Sequence, residues 1–179
     1  MDTDKADRAK RAKELKSIFE SIMNDGHYLV EAERATLFLV DRETDELWSQ
    51  VATGTDGIIK VPQKKGCVGH GVTTGNILNI PDAYQNPHFD RSFDEKTGFK
   101  TFSVLVVPIR AKRGSNGNSH GEVIGAIQMI NKRKKDGKQA TNVDNDDTTS
   151  IVPFTKDDEK IVKVLASHVA TFIQVVEGS

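Results

Sequence analysis

Two aliphatic runs constrain this chain most: Ser103-Val104-Leu105-Val106-Val107-Pro108-Ile109 and Val123-Ile124-Gly125-Ala126-Ile127-Gln128-Met129-Ile130. Side chains branched at Cβ fit a pleated, half-buried surface, so strands are expected over 102–111 and 123–131. The link between them, 112–120, is basic and rich in Gly, Ser and Asn, which predicts an exposed hairpin loop. Earlier in the chain, 34–41 and 46–52 read as two further strands. The short Arg-Glu-Thr-Asp link between them suggests an antiparallel hairpin. Residues 57–62 make a short third strand that ends at Pro62.

Helices are expected at both ends. Over 4–24, Leu15, Ile18, Phe19, Ile22 and Met23 form one apolar stripe. Asn24-Asp25-Gly26 is expected to end it, because Gly accepts the left-handed conformation of a helix terminus. The last helix runs over about 155–177. Thr155 serves as N-cap with Asp158 three residues on, and Asp157, Asp158 and Glu159 suit the positive helix start. Its apolar residues cover more than one face, so a second partner is expected: the first helix, another subunit, or both. The whole order predicts an α+β arrangement, an antiparallel sheet with the terminal helices on one face. Residues 133–152 are polar and low in complexity, and are expected to form a mobile insertion in a single domain spanning 1–179.

Net charge is -1 with 28% charged residues, which argues against nucleic acid or an anionic membrane as partner. A single cysteine, Cys67, excludes an internal disulfide and suits a reducing, cytoplasmic compartment. No apolar run approaches the roughly 18 residues of a membrane span. The chain is expected to be an excised piece of a larger protein. Phosphate-loop, nucleophile-elbow and dinucleotide fingerprints are absent from the sequence. The histidines (27, 70, 88, 120 and 168) lack metal-ligand spacing, so neither an enzyme nor a metal site is expected. Cys67 could be a reactive thiol or a chromophore attachment point, but a small buried residue at a turn is the favoured reading.

Residues 65–101 mix glycines, small hydroxyls and a polar tail, without the look of core packing, which predicts a ligand-facing segment. Lys65-Gly66-Cys67-Val68-Gly69-His70-Gly71-Val72 reads as a turn leading into a short helix. Such a turn offers free backbone N–H groups and a positive dipole end, suited to a phosphate. In Asn79-Ile80-Pro81-Asp82-Ala83-Tyr84, Pro81 stops a strand and Asp82 caps the next turn. Asp90-Arg91-Ser92-Phe93-Asp94-Glu95-Lys96-Thr97-Gly98-Phe99-Lys100-Thr101 reads as a lid or as a solvated surface helix.

These segments, with Asn131-Lys132, Phe154 and Asp158-Glu159, resemble the GAF domains of cyclic-nucleotide phosphodiesterases and adenylyl cyclases over about 12–176. The resemblance implies the GAF fold, with a pocket under short helices and a lid. It implies a cyclic nucleotide ligand, cAMP slightly ahead of cGMP, and no cofactor. By that resemblance Cys67 and Val68 meet the cyclic phosphate through their amides. Asp94, Thr97 and Thr101 contact the nucleotide, and Thr36, Asp90 and Gln128 complete the pocket. Ala52 and Thr53 stand where many relatives carry Phe-Asp, and Gln128 where they carry an acid. Asn131, Lys132, Phe154, Asp158 and Glu159 form a structural motif in which Lys132 pairs with Asp158. A homodimer through the terminal helices and an attached catalytic domain are implied as partners. The departures at Ala52, Thr53 and Gln128 support an alternative: a dimerisation module that binds no nucleotide, or a different small ligand.

Overall fold

A computed structural model describes residues 2–111, 121–134 and 150–177. Among them α1 (Asp2–Leu29), β1 (Ala32–Asp41), β2 (Glu46–Ala52), β3 (Lys60–Pro62), α2 (Gly66–Thr74) and β4 (Leu78–Ile80) follow in order. Then come a 3-10 turn (Ala83–Gln85), α3 (Ser92–Thr97), β5 (Val104–Arg110), β6 (Val123–Arg133), β7 (Ile151–Val152) and α4 (Lys156–Glu177). The sheet runs β3-β2-β1-β6-β5-β4, with β7 added to the end of β6. Each of these pairings is antiparallel.

Strand periodicity divides the sheet into two faces. Ala35 and Leu37 of β1, Leu105, Val107 and Ile109 of β5, and Ile127 and Met129 of β6 point to one of them. There they meet Phe19 and Met23 of α1 and Val162, Ala166, Val169, Ala170 and Ile173 of α4. Alternate residues Phe38, Val104, Val106 and Ala126 point the other way, against Cys67, Val68 and Val72 of α2. The terminal helices thus share one face, as the sequence predicts.

α1 runs past Asn24-Asp25-Gly26 to Leu29. A Cβ on Gly26 would lie 2.6 Å from Leu165 Cδ1, so this glycine lets α4 approach α1 closely instead of ending the helix. The chain turns where Glu31 takes a left-handed φ of 56°. β3 holds only the last three of the six residues expected, and Ile58 before it is exposed. β5 starts at Val104, because the Phe102 N–H is donated to Asn131 Oδ1. The 112–120 loop lies outside the described residues, as does most of the expected 133–152 insertion. Its first and last residues join the sheet, contrary to expectation: Arg133 closes β6, and β7 pairs Ile151 with Arg133 and Val152 with Lys132.

α4 starts on a reciprocal cap. The Thr155 hydroxyl accepts from the Asp158 N–H at 3.2 Å, and Asp158 Oδ2 accepts from the Thr155 N–H at 2.7 Å. Segment 65–101 departs from expectation. Cys67, Val68, Val72, Ile80 and Ala83 are buried and build the second apolar cluster, so the segment contributes core as well as polar surface. Its small residues are what allow it to pack closely on the sheet.

Candidate functional site

On the face away from the terminal helices the sheet does not close against its cover. A cavity of about 120 Å³ lies between the sheet, the first turn of α2 and segment 89–101. Its floor is Thr36 and Phe38 of β1, Val104 of β5, and Gln128 and Ile130 of β6. Thr36 and Gln128 are direct cross-strand partners, so register alone brings their polar groups together.

One wall is the start of α2. Gly66 takes φ +72°, open to it because it lacks a Cβ, and turns the chain from Lys65 into the helix. The first bond inside α2 joins the Gly69 N–H to the Lys65 carbonyl, and the Lys65 side chain caps nothing. The amides of Gly66, Cys67 and Val68 therefore have no acceptor within the helix, and all three residues line the cavity. Lys65 instead pairs with Asp90 at 2.9 Å, tying α2 to the segment before α3. The hydrogen bond from Lys65 holds the Asp90 carboxyl below its ordinary range. His70 of α2 and His88 stack with ring centroids 3.7 Å apart.

The roof is held by Asp94. This buried carboxylate accepts from the Thr101 N–H (2.7 Å), the Thr101 hydroxyl (2.8 Å) and the Tyr84 hydroxyl (3.0 Å). Asp94 and Thr101 face the cavity, yet here they serve each other, and with Tyr84 they clasp α3 to its exit and to the preceding 3-10 turn. Across from them Arg34 of β1 lays its guanidinium over the Phe99 ring, Cζ 3.7 Å from the centroid. Burial lowers the Arg34 pKa from its ordinary value, with Glu33 and Asp94 opposing.

Of the residues expected at the site, Thr36, Cys67, Val68, Asp90, Asp94, Thr101 and Gln128 line this one cavity. Ala52, Thr53 and Thr97 do not. Ala52 sits at the end of β2, paired with Thr36. The Thr53 hydroxyl accepts from the Ala35 N–H at 2.8 Å and is spent on the strand edge. Thr97 is turned outward and donates to the Phe93 carbonyl at 2.9 Å. Sequence reasoning missed Arg34, Phe89, Phe93 and Phe99, which give the cavity its cation and much of its aromatic surface. The parity of β1 carried the first signal, since Arg34 is two residues from Thr36. The wide spacing of three phenylalanines within a polar segment carried the others.

Cys67 is buried, and burial pushes its thiol up to about 11, which disfavours the reactive thiolate. Among the described residues no group of three or more His, Cys, Asp or Glu could hold a metal ion. Among the described residues no helix is long and apolar enough to cross a membrane.

The end of the sheet beside the cavity is locked by polar side chains. Lys132 Nζ donates to Asp158 Oδ1 and to the Val30 carbonyl, both at 3.0 Å, joining β6 to α4 and to the end of α1. Asn131, left-handed at φ 58°, accepts from the Phe102 N–H at 2.7 Å and donates to the Lys100 carbonyl at 2.8 Å. The Asn79 amide donates to the Phe154 carbonyl (2.9 Å) and to Glu159 Oε1 (2.8 Å). The Asn-Ile-Pro-Asp segment and the Asn-Lys/Phe/Asp-Glu residues thus form one connected network. Asp82 also caps its turn, accepting from the Tyr84 N–H at 3.0 Å.

The family model described as GAF domain matches residues 14–173. The chain belongs to the GAF domain family. A curated relative, the dual 3',5'-cyclic-AMP and -GMP phosphodiesterase 11A of Takifugu rubripes, is 34% identical over 148 residues. That alignment covers 76% of this GAF domain and 14% of the relative, so the chain spans a small part of that enzyme's length. Among solved structures, the GAF domain of a phosphoenolpyruvate-protein phosphotransferase from Coxiella burnetii superposes with a TM-score of 0.70. It is 15% identical, with 96% of this chain and 95% of that one covered. A type II free methionine-R-sulfoxide reductase from Thermoplasma acidophilum superposes with a TM-score of 0.61 at 19% identity, covering 90% and 96%. At such identities these two neighbours establish the GAF fold alone.

Proposed function

We propose that this GAF domain is a regulatory sensor that binds a cyclic nucleotide and signals to an attached catalytic domain. The observation that carries the reading is the pairing of two features across one cavity. The amides at the start of α2, which have no acceptor within the helix, offer a seat for one phosphate. Opposite them, Thr36, Gln128 and Arg34 present hydrogen-bonding groups among phenylalanines, a setting suited to a purine. The relative's name, a phosphodiesterase of both cyclic AMP and cyclic GMP, supports the same ligand class.

The cavity of about 120 Å³ is smaller than the roughly 300 Å³ at which small-molecule pockets begin. A whole nucleotide therefore requires segment 90–101 to move outward. That segment is held by the Asp94 clasp, the Lys65–Asp90 bridge and the Arg34–Phe99 stack, and it contains no strand of its own. Ligand contacts made only in the rearranged state supply the differential energy that shifts the conformational balance. α2, which bears the phosphate seat, packs on β5 and β6, whose opposite face carries α4. Occupancy is passed to the terminal helices by that route.

A second reading is a dimerisation module without a nucleotide. The stripe Val164, Phe172 and Val175 on the outer side of α4 favours a homodimer through the terminal helices. Isothermal titration with cAMP and, separately, cGMP tests the sensor reading. Saturable one-to-one heat with either nucleotide is expected. Silence from both, on folded protein free of co-purified nucleotide, would move the function to the dimer. In that case Phe172→Glu should abolish self-association in sedimentation without lowering thermal stability.

A further inference from the structure

We propose that Arg34 reads the base of the bound nucleotide and makes the cavity select guanine over adenine, a step that rests on the cyclic-nucleotide reading above. Arg34 is the cation facing the cavity whose charge no carboxylate offsets at ion-pair distance among the described residues. Lys65, the nearest comparison, is held by Asp90. The one hydrogen bond of the Arg34 side chain is a long one, from Nη1 to Thr55 Oγ1 at 3.4 Å. Glu33, its chain neighbour, is engaged with Asn131 and Arg133. Asp94 contributes a favourable field, but both its oxygens are taken by Thr101 and Tyr84.

Phe99 covers one face of the guanidinium, with Cζ 3.7 Å from its centroid; when segment 90–101 moves outward, Arg34 stays on β1 and its planar fork of N–H donors opens to the base. A planar group with two adjacent acceptors satisfies such a fork. Guanine presents O6 and N7 together. Adenine presents N7 beside an amino donor, which opposes a guanidinium. Gln128 and Thr36 carry both donor and acceptor capacity and adapt to either base, so the fixed polarity belongs to Arg34. The phosphate seat at Gly66–Val68 belongs to a separate wall, leaving Arg34 free for the other end of the ligand. This reading reverses the preference for cAMP expected from the sequence.

The test is titration of the unaltered domain with cGMP, cIMP, 7-deaza-cGMP and cAMP. cIMP keeps O6 and N7 and should bind like cGMP. 7-deaza-cGMP lacks N7, cAMP lacks O6, and each should bind roughly tenfold more weakly. Arg34→Gln, verified as folded by thermal melting, should erase the preference or turn it toward cAMP, because a glutamine amide matches adenine N6 and N7. cAMP binding as tightly as cGMP, with 7-deaza-cGMP unimpaired, overturns the role of Arg34 and leaves the sensor reading standing. Equal weakening of all four ligands in Arg34→Gln also overturns it, reducing Arg34 to a clasp for Phe99. Absence of binding by all four removes both proposals together.

Discussion

The two faces of the sheet are built to opposite ends. Against α1 and α4 the strands bury a continuous apolar cluster from Phe19 to Ile173. Against α2 and α3 they meet a smaller cluster, a cavity, and the buried polar residues Thr36, Asp94 and Thr101. A close-packed face stabilises because every removed methyl leaves a void. A polar, incompletely filled face contributes less to stability and offers groups to a ligand. Stability and recognition are thereby placed on opposite sides of the same strands, so substitutions should separate the two.

The largest effect is expected where the helix face is locked to the sheet. Asp158→Ala leaves the largely buried Lys132 without its carboxylate at 3.0 Å and removes the half of the α4 cap in which Asp158 Oδ2 accepts from Thr155, costing about 3–5 kcal/mol in urea denaturation. A cost near zero would show that Glu31, 3.6 Å from the same ammonium, takes over the charge. Next comes Leu105→Ala, fully buried on the helix face, at about 2–5 kcal/mol. Its ligand affinity should stay unchanged, and a parallel loss of affinity would break the division between faces.

On the cavity face, Asp94→Asn weakens three hydrogen bonds and costs about 1–3 kcal/mol. Amide exchange over 90–101 should accelerate while α4 stays protected. Uniform acceleration across both faces would contradict a locally held roof. The smallest effect is pH-dependent. Asp90 is depressed in the folded state by Lys65, so its bridge contributes above the ordinary aspartate range. That contribution is lost as pH falls through the lower folded value. Lys65→Met should remove this acid-side component from the melting profile and leave the rest of the curve in place. An unchanged profile would place the hold on α2 elsewhere.

Much of the fold was legible in local patterns. The aliphatic runs in 103–109 and 123–130 mark two strands, whose period of two splits each into two sets, while packing decided which set meets the terminal helices. The Thr155/Asp158 cap and the Asp82 turn are short-range devices with unambiguous chemistry. Boundaries set by long-range contact were less accessible. Gly26 carries the local mark of a helix end, yet α4 crosses there and the helix continues. Segment 65–101 reads as polar by composition, while small residues spaced through it pack on β5 and β6.

By itself the sequence determined the terminal helices, the order of the main strands and the Thr155/Asp158 cap, and the family resemblance implied the Lys132–Asp158 lock, since periodicity, caps and motifs are local marks. Tertiary structure decided which polar groups remain for a ligand. Asp94 and Thr101 satisfy each other, Thr53 and Thr97 are spent on backbone, and Arg34 stands over Phe99 with donors to spare. The physical reason is that hydrogen bonding is a matter of partners. Whether a side chain is engaged or available depends on what folding brings within about 3 Å of it, and those neighbours are distant in the chain.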